Sequence, residues 1–234
     1  MNEPKGSYAV KAQRKDPRDT LDFFPTPPWA TRALIEVVID PAHVAGLSCW
    51  EPAAGEGHMA ETLRPYFARL HASDVHDYGR GYDVGSFTGG GLLAARCPFK
   101  ADWIMTNPPF NAAADFLERA LDVAAHGVAL LVRTAWLESE ERWRRIFRNR
   151  APSTVAQFAE RVPMQKGSWN PDGSTATAYA WFVWERDSET GFTRHGEARL
   201  VWIPPGAEGL FTHKDDRARF AAAAGAATDQ GRSA

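Results

Sequence analysis

Asn107-Pro108-Pro109-Phe110 is the segment of this sequence best equipped for chemistry. Two successive prolines remove two amide donors and stiffen the backbone around them. What remains is a rigid pair of acceptors, the Asn107 amide oxygen and the Pro108 carbonyl, beside the flat apolar surface of Phe110. Such a set can receive an amino group carried on a planar heterocycle; a merely structural turn is the alternative. Well upstream, Glu51-Pro52-Ala53-Ala54-Gly55-Glu56-Gly57 forms a turn in which Gly55 and Gly57 permit tight backbone geometry and close approach of a ligand. It has neither the three spaced glycines of the dinucleotide fingerprint nor the lysine and Ser/Thr pair of a phosphate-cradling loop. Glu51 and Glu56 would repel a pyrophosphate and suit an ammonium, a sulfonium or ribose hydroxyls. Between the two segments lie Asp74 and Asp83. The first is placed to accept from ribose hydroxyls and the second from an adenine amino group, unless they are only a solvated loop acid and a helix cap.

These residues need elements to hold them. Strands are expected over 47–50, 69–73 ending on Asp74, 102–106 and 128–132, alternating with helices over 58–68, 112–125 and 138–148. Before them, Thr26 can cap a helix whose first turn holds Pro27 and Pro28 and which continues through Leu34, Ile35, Val38 and Ile39. A glycine-rich stretch from Gly79 to Gly91 leads into a short helix near 92–96. The alternation predicts an α/β fold with a parallel sheet covered on both faces, and its ligands at the carboxyl ends of the strands. The last third reads as strands over 154–162, 177–184 and 198–203, antiparallel additions at one sheet edge. Residues 1–20 read as a polar arm, 21–206 as one domain, and 207–234 as a tail with a short helix over 215–223 and a frayed end.

Taken together, the Asn-Pro-Pro-Phe segment after a strand, Glu-Pro-x-x-Gly-x-Gly before it, acids in between and Thr26-Pro27-Pro28 ahead of all of them resemble the S-adenosylmethionine-dependent DNA adenine-N6 methyltransferases. The order is similar to the γ arrangement, in the compact form carried by phages and prophages. The resemblance covers about 24–184 and implies a single Rossmann-like class I methyltransferase domain, mostly parallel with antiparallel C-terminal strands. It also implies S-adenosyl-L-methionine as cofactor and DNA as partner. Carried over by position, Thr26 would contact the methionine carboxylate. Glu51, Ala53, Gly55 and Gly57 would line the methionyl end, Asp74 the ribose and Asp83 the adenine. Asn107, Pro108, Pro109 and Phe110 would hold an adenine flipped out of the duplex, its amino group aimed at the methyl donor. Val84 departs from the family pattern, which places an aromatic after the acid; Phe87 could stand in for it.

For the nucleic acid, the stretch 140–166 carries seven basic residues against three acids. Arg142, Arg144, Arg145 and Arg148 are the candidate phosphate contacts, with a solvated helix face as the alternative. Trp169, in a polar glycine-containing loop, is expected to be exposed and to touch base or backbone. Trp136, Trp181, Trp184 and Trp202 are expected in the core. With no room after Phe110 for a separate recognition domain, a short or relaxed target site is expected. The same loop could serve an RNA base or a protein glutamine amide, or persist in a silent DNA-binding module; a nicotinamide dehydrogenase lacks its phosphate turn.

Composition bounds these readings. In 234 residues, 27 basic and 29 acidic side chains nearly cancel, which excludes a polybasic binder but not a local basic surface. Cys49 and Cys97 make no disulfide framework and no zinc spacing, the histidines have no ligand spacing, and no metal is expected. No apolar run is long enough to span a membrane and the start has no secretory pattern, so a cytoplasmic protein is expected.

Overall fold

The short runs at 48–51, 69–74, 103–106 and 127–133 lie side by side as parallel strands. The computed structural model describes residues 22–221; the expected arm over 1–20 and the end of the expected tail lie outside the described residues. The strands are β1 (Ser48–Glu51), β2 (Arg69–Asp74), β3 (Asp83–Val84), β4 (Trp103–Thr106), β5 (Gly127–Arg133), β6 (Thr154–Phe158), β7 (Tyr179–Glu185) and β8 (Arg199–Ile203), in one sheet of order β3-β2-β1-β4-β5-β7-β6-β8. Only β7 is reversed: it runs antiparallel to β5 and β6, while β8 pairs parallel with β6. The C-terminal strands expected to be antiparallel therefore contribute one reversed strand, and insertion of β7 between β5 and β6 turns β6 and β8 back into line. The short β3, which pairs with Ser73 and Asp74, falls within the glycine-rich stretch and escaped the periodicity.

Helices cover both faces. On one lie α1 (Pro28–Ala33), its π-helical continuation Leu34–Ile39, the short α2 (Pro41–Val44) and α3 (His58–Leu63), over a core that includes Leu34, Ile35, Leu63, Met105, Leu131 and Trp181. On the other lie α4 (Ala113–Val123) and the helical stretch made of α5 (Glu140–Arg142), a π-helical segment Trp143–Phe147 and α6 (Arg148–Arg150), over Trp50, Ile104, Leu130, Phe182 and Trp184. Helix α4 buries Phe116, Leu117, Ala120 and Leu121, the i, i+1, i+4, i+5 stripe of an amphipathic helix. The core tryptophans place their indole N–H groups on carbonyls, Trp181 on Ala30 and Trp184 on Arg150, both at 2.9 Å. Trp136 is buried as expected, but Trp202 is not: on the edge strand β8 it is 61% exposed, because no helix covers that face of β8.

Thr26 does not cap α1. Pro27 occupies the cap position with no side-chain hydrogen bond, and the Thr26 hydroxyl serves another partner. Between Gly206 and Ala221 the chain is packed rather than loose. Helix α7 (Ala207–Phe211) and a π-helical turn over Arg217–Ala221, in place of the helix expected over 215–223, lie against the rest, with Ala207 and Phe220 buried. Arg32 of α1 fixes this segment. Its guanidinium donates to both oxygens of Asp216 at 2.6 and 2.7 Å and to the Phe211 carbonyl at 2.8 Å. Both partners of the ion pair are buried, so removing one strands the other's charge. Asp216→Ala is expected to cost about 3–5 kcal/mol, while Arg32→Met with Asp216→Leu recovers most of that loss. Denaturant unfolding of the two variants checks it; equal losses would show that the charge is not what matters.

Candidate functional site

Every parallel strand ends at the same rim of the sheet, so Glu51, Asp74 and Thr106 close β1, β2 and β4 side by side. A cleft opens above them. It is lined by Asp22 to Thr26, by Glu51 to Ala54, by His58, Asp74, Val75 and Tyr78, and by Asn107, Pro109 and Asn111. Thr26, Glu51, Ala53, Asp74, Asn107 and Pro109 were all picked out in the sequence, and they share this one space.

Asn107 is locked by long-range bonds. Its Nδ2 donates to the Phe24 carbonyl at 2.9 Å and to Thr26 Oγ1 at 3.1 Å. A carbonyl only accepts, so these partners fix which end of the amide is nitrogen and leave Oδ1 as the unclaimed acceptor. The Phe110 amide, which could have turned back on that oxygen, donates instead to Asp22 Oδ2 at 2.7 Å. Pro108 and Phe110 stand just outside the cleft-lining set. The Phe110 ring packs 4.9 Å from that of Phe24, and the Arg133 guanidinium lies over it at 4.3 Å.

Glu51 is buried at the end of β1. Its Oε1 accepts from the Ala53 amide at 3.2 Å, and its Oε2 has no hydrogen-bond partner. Burial pushes this carboxyl up to about 8; the neighbouring Thr106 hydroxyl and the Ala53 amide draw it back only in part, and the charge of Asp74 adds to the rise. Asp74 accepts from the Gly55 amide at 2.8 Å and the His76 amide at 2.9 Å. Burial raises its carboxyl too, against those amides. Gly55 and Gly57, expected to line the ligand site, lie outside the cleft-lining set, and packing accounts for them: both hold positive φ, and a Cβ on Gly55 would strike the Phe23 ring while one on Gly57 would strike the Tyr82 hydroxyl.

Other expected residues lie elsewhere. The β2–β3 register sets Asp83 level with Ser73, below the rim, where its exposed carboxylate faces His71 at 3.6 Å; it does not line the cleft. Val84 is exposed, and Phe87 is buried edge-on against Trp50, so neither forms a cleft wall. The aromatic at that side is Tyr78, four residues past Asp74, with Phe23 at 5.0 Å; an aromatic just beyond the strand-end acid was the signal available for it. Trp169 is buried, not exposed. It packs edge-on to His58 and Phe220, because the loop that carries it folds onto the N-terminal segment, Gly167 donating to the Phe23 carbonyl at 2.9 Å. His58, given no role from the sequence, lines the cleft with both ring nitrogens unpartnered; burial holds it down at about 4, neutral near pH 7.

The arginine-rich stretch is largely occupied by internal partners. Arg142 donates to the Trp136 and Glu138 carbonyls at 2.7 and 2.6 Å, and Arg145 binds Asp115 and Glu118 of α4 at 2.5 and 2.7 Å. Arg144 pairs with Glu140 on the same helical stretch. Arg148 is exposed, and none of these four lines the cleft. Among the described residues no group of histidine, cysteine and acids could hold a metal ion, and no helix is long and apolar enough to cross a membrane.

No family model matches the sequence, and no curated protein matches it. Solved structures share its fold. A Vibrio vulnificus YJ016 chain assigned as the modification subunit of a type I restriction enzyme aligns with a TM-score of 0.53 at 16% identity, over 84% of this chain and 51% of that one. The M protein of the type I restriction enzyme EcoKI gives 0.52 at 11% identity, over 80% and 50%. A Pyrococcus horikoshii protein assigned as an RNA methyltransferase gives 0.52 at 14%, over 75% and 90%. The chain thus spans about half the length of the two restriction-enzyme chains. Its architecture is the Rossmann-like α/β fold that these structures share.

Glu51 supplies a test of the site's electrostatics. With its carboxyl raised from 4.5 to about 8, the folded protein keeps a proton that the unfolded chain has already released. Stability on this account falls as pH rises across that window and levels off above it. Glu51→Gln removes the penalty, so its melting temperature is expected to exceed the wild type's at pH 9 by several degrees, with the gap closing at pH 5. Thermal melts at the two pH values read this out, and a gap independent of pH would assign the effect to something other than ionisation.

Proposed function

We propose that this protein transfers a methyl group from S-adenosyl-L-methionine to the exocyclic N6 of an adenine flipped out of DNA. The observation that carries the reading is the Asn107 amide, held by Phe24 and Thr26 so that its oxygen stays free, in the same cleft as a buried carboxylate with an unpartnered oxygen. The fold shared with methyltransferase structures, two of them restriction-enzyme chains, supports the same reading.

The residues present fit the cofactor. The orphaned Glu51 Oε2 is a place for an ammonium, which would draw the carboxyl back to its ionised form. Asp74 keeps lone pairs for ribose hydroxyls after accepting its two amide bonds. Tyr78 and Phe23 offer apolar surface for a heterocycle in place of the Phe87 stand-in, and with Asp83 below the rim the adenine amino group loses its expected carboxylate. Thr26 would lie near the carboxylate end. When bound, S-adenosylmethionine supplies a methyl group on a sulfonium, already activated for displacement.

The chain's own task is placement. Asn107 Oδ1 and the Pro108 carbonyl accept the two N6 hydrogens of the target base, which favours a pyramidal nitrogen and points its lone pair away from the ring. Two prolines keep those acceptors from relaxing. Alignment of this kind contributes about 7–11 kcal/mol in well-oriented reactions, and no strong base is required, because the methylated nitrogen is acidic and would shed its surplus proton to solvent after transfer. An adenine inside a duplex cannot reach the rim of the sheet, so it must be extruded, at a cost of a few kcal/mol.

The test is incubation of DNA with the protein and cofactor, digestion to nucleosides and mass analysis. N6-methyladenine is expected from the wild type, and Asn107→Ala is expected to lower the transfer rate by about 10²–10³-fold while changing cofactor affinity far less. Label transferred from the cofactor to RNA or to protein glutamine, with none in DNA, would reassign the substrate.

A further inference from the structure

Under the proposed function Phe110 is the plate on which the extruded base rests, yet in the free protein its ring is already covered. Three groups surround it: Phe24 at 4.9 Å, Tyr179 at 6.4 Å and the guanidinium of Arg133 at 4.3 Å. The first two cannot leave. Phe24 is packed against the core and its carbonyl holds Asn107, and Tyr179 is buried in β7 directly opposite Arg133 in the β5–β7 ladder. Arg133 is the exposed member, the last residue of β5; among the described residues no salt bridge ties it down, and besides the ring its guanidinium meets only the Tyr179 hydroxyl, a neutral partner.

We infer that Arg133 is a placeholder: it occupies the Phe110 ring in the free protein, yields that ring to the extruded base, and is thereby released at the rim where the DNA backbone arrives. This inference rests on the DNA-adenine reading above. A guanidinium suits the role because it is planar, weakly hydrated and stacks on aromatic faces much as a base does. An exposed cation–π contact is weaker than base–aromatic stacking, so the exchange runs towards the base, and the displaced cation is free to meet a phosphate. Arg133 also explains how the part of the ring that Phe24 and Tyr179 leave open is kept covered between encounters. It lies outside the set of arginines that the sequence had marked for DNA, which are mostly engaged with their own helix or with α4.

The experiment follows the Arg133 Nε–H resonance by NMR, in protein saturated with S-adenosylhomocysteine so that no transfer occurs. In the free protein it is expected to be shifted upfield by the Phe110 ring, a shift that Phe110→Leu abolishes. A duplex that the protein methylates is expected to return it to the ordinary arginine position. The same duplex with an abasic site in place of the target adenine is expected to leave it upfield. Arg133→Ala is expected to raise 2-aminopurine fluorescence at the target position to at least the wild-type level, with about three- to tenfold tighter capture of the extruded base because no competitor holds the ring. A resonance that stays upfield with both duplexes, or moves with both, overturns the placeholder role, as does loss of base extrusion in Arg133→Ala. Failure to methylate any DNA would instead overturn the reading on which it rests, and the two failures are told apart by the nucleoside analysis.

Discussion

The bond from Asn107 Nδ2 to the carbonyl of Phe24 joins residues 83 positions apart and is the constraint on which the candidate site depends. An asparagine at a strand end ordinarily spends its side-chain oxygen on a nearby backbone amide, most often two residues ahead. Here that position is Pro109, which has no N–H, and the next amide, on Phe110, is taken by Asp22. The oxygen is therefore kept idle by three separate devices: a long-range lock on its partner nitrogen, a proline where the competing donor would be, and an acid that claims the donor after it. The oxygen is thereby left facing the open cleft, and so concerted an arrangement favours a ligand-facing role over a turn.

The same economy governs Glu51. A carboxylate buried beside Asp74 with one oxygen unpartnered is unfavourable in the free protein, and its raised pKa is the expression of that strain. A cationic ligand relieves it. Next to it, His58 is buried and neutral, and the indole nitrogen of Trp169 is buried without a partner in the same aromatic cluster as Phe220. The start of α3 is thus capped by apolar surface from the far end of the chain, held in place by the Arg32–Asp216 pair. The site's unsatisfied groups are carried by packing elsewhere in the molecule, as expected where function and stability pull apart.

Much of this was legible in the sequence. The strand–helix alternation marked the parallel strands because each is a short buried run flanked by turn residues, and Glu51, Asp74 and Asn107 were found because they close such runs. What escaped detection depends on register and on distant contacts. Asp83 looks well placed by its distance from Asp74 along the chain, but the pairing of Ser73 with Asp83 sets it below the rim. Trp169 among glycines and polar residues reads as exposed, and only the docking of its loop on Phe23 and His58 buries it. Trp202 reads as core by its apolar neighbours, and lies exposed because β8 is an edge strand. Phe23 and His58 line the cleft without a spacing that announces them.

The arginine-rich stretch shows how strand order decides between a solvated face and a binding face. It begins after Arg133 at the rim and ends at Arg150, just before Thr154 starts β6 at the opposite end of the sheet. A helical stretch on that path carries most of its cations away from the cleft, and Arg145 and Arg142 bind α4 and the Trp136 turn. The reversed β7 has the opposite effect. Because it runs against β5, its first residue, Tyr179, lands at the rim beside Arg133 and within reach of Phe110. The side chains that could meet a nucleic acid are therefore assembled from strand ends, which topology brings together, and not from the basic run that composition singles out.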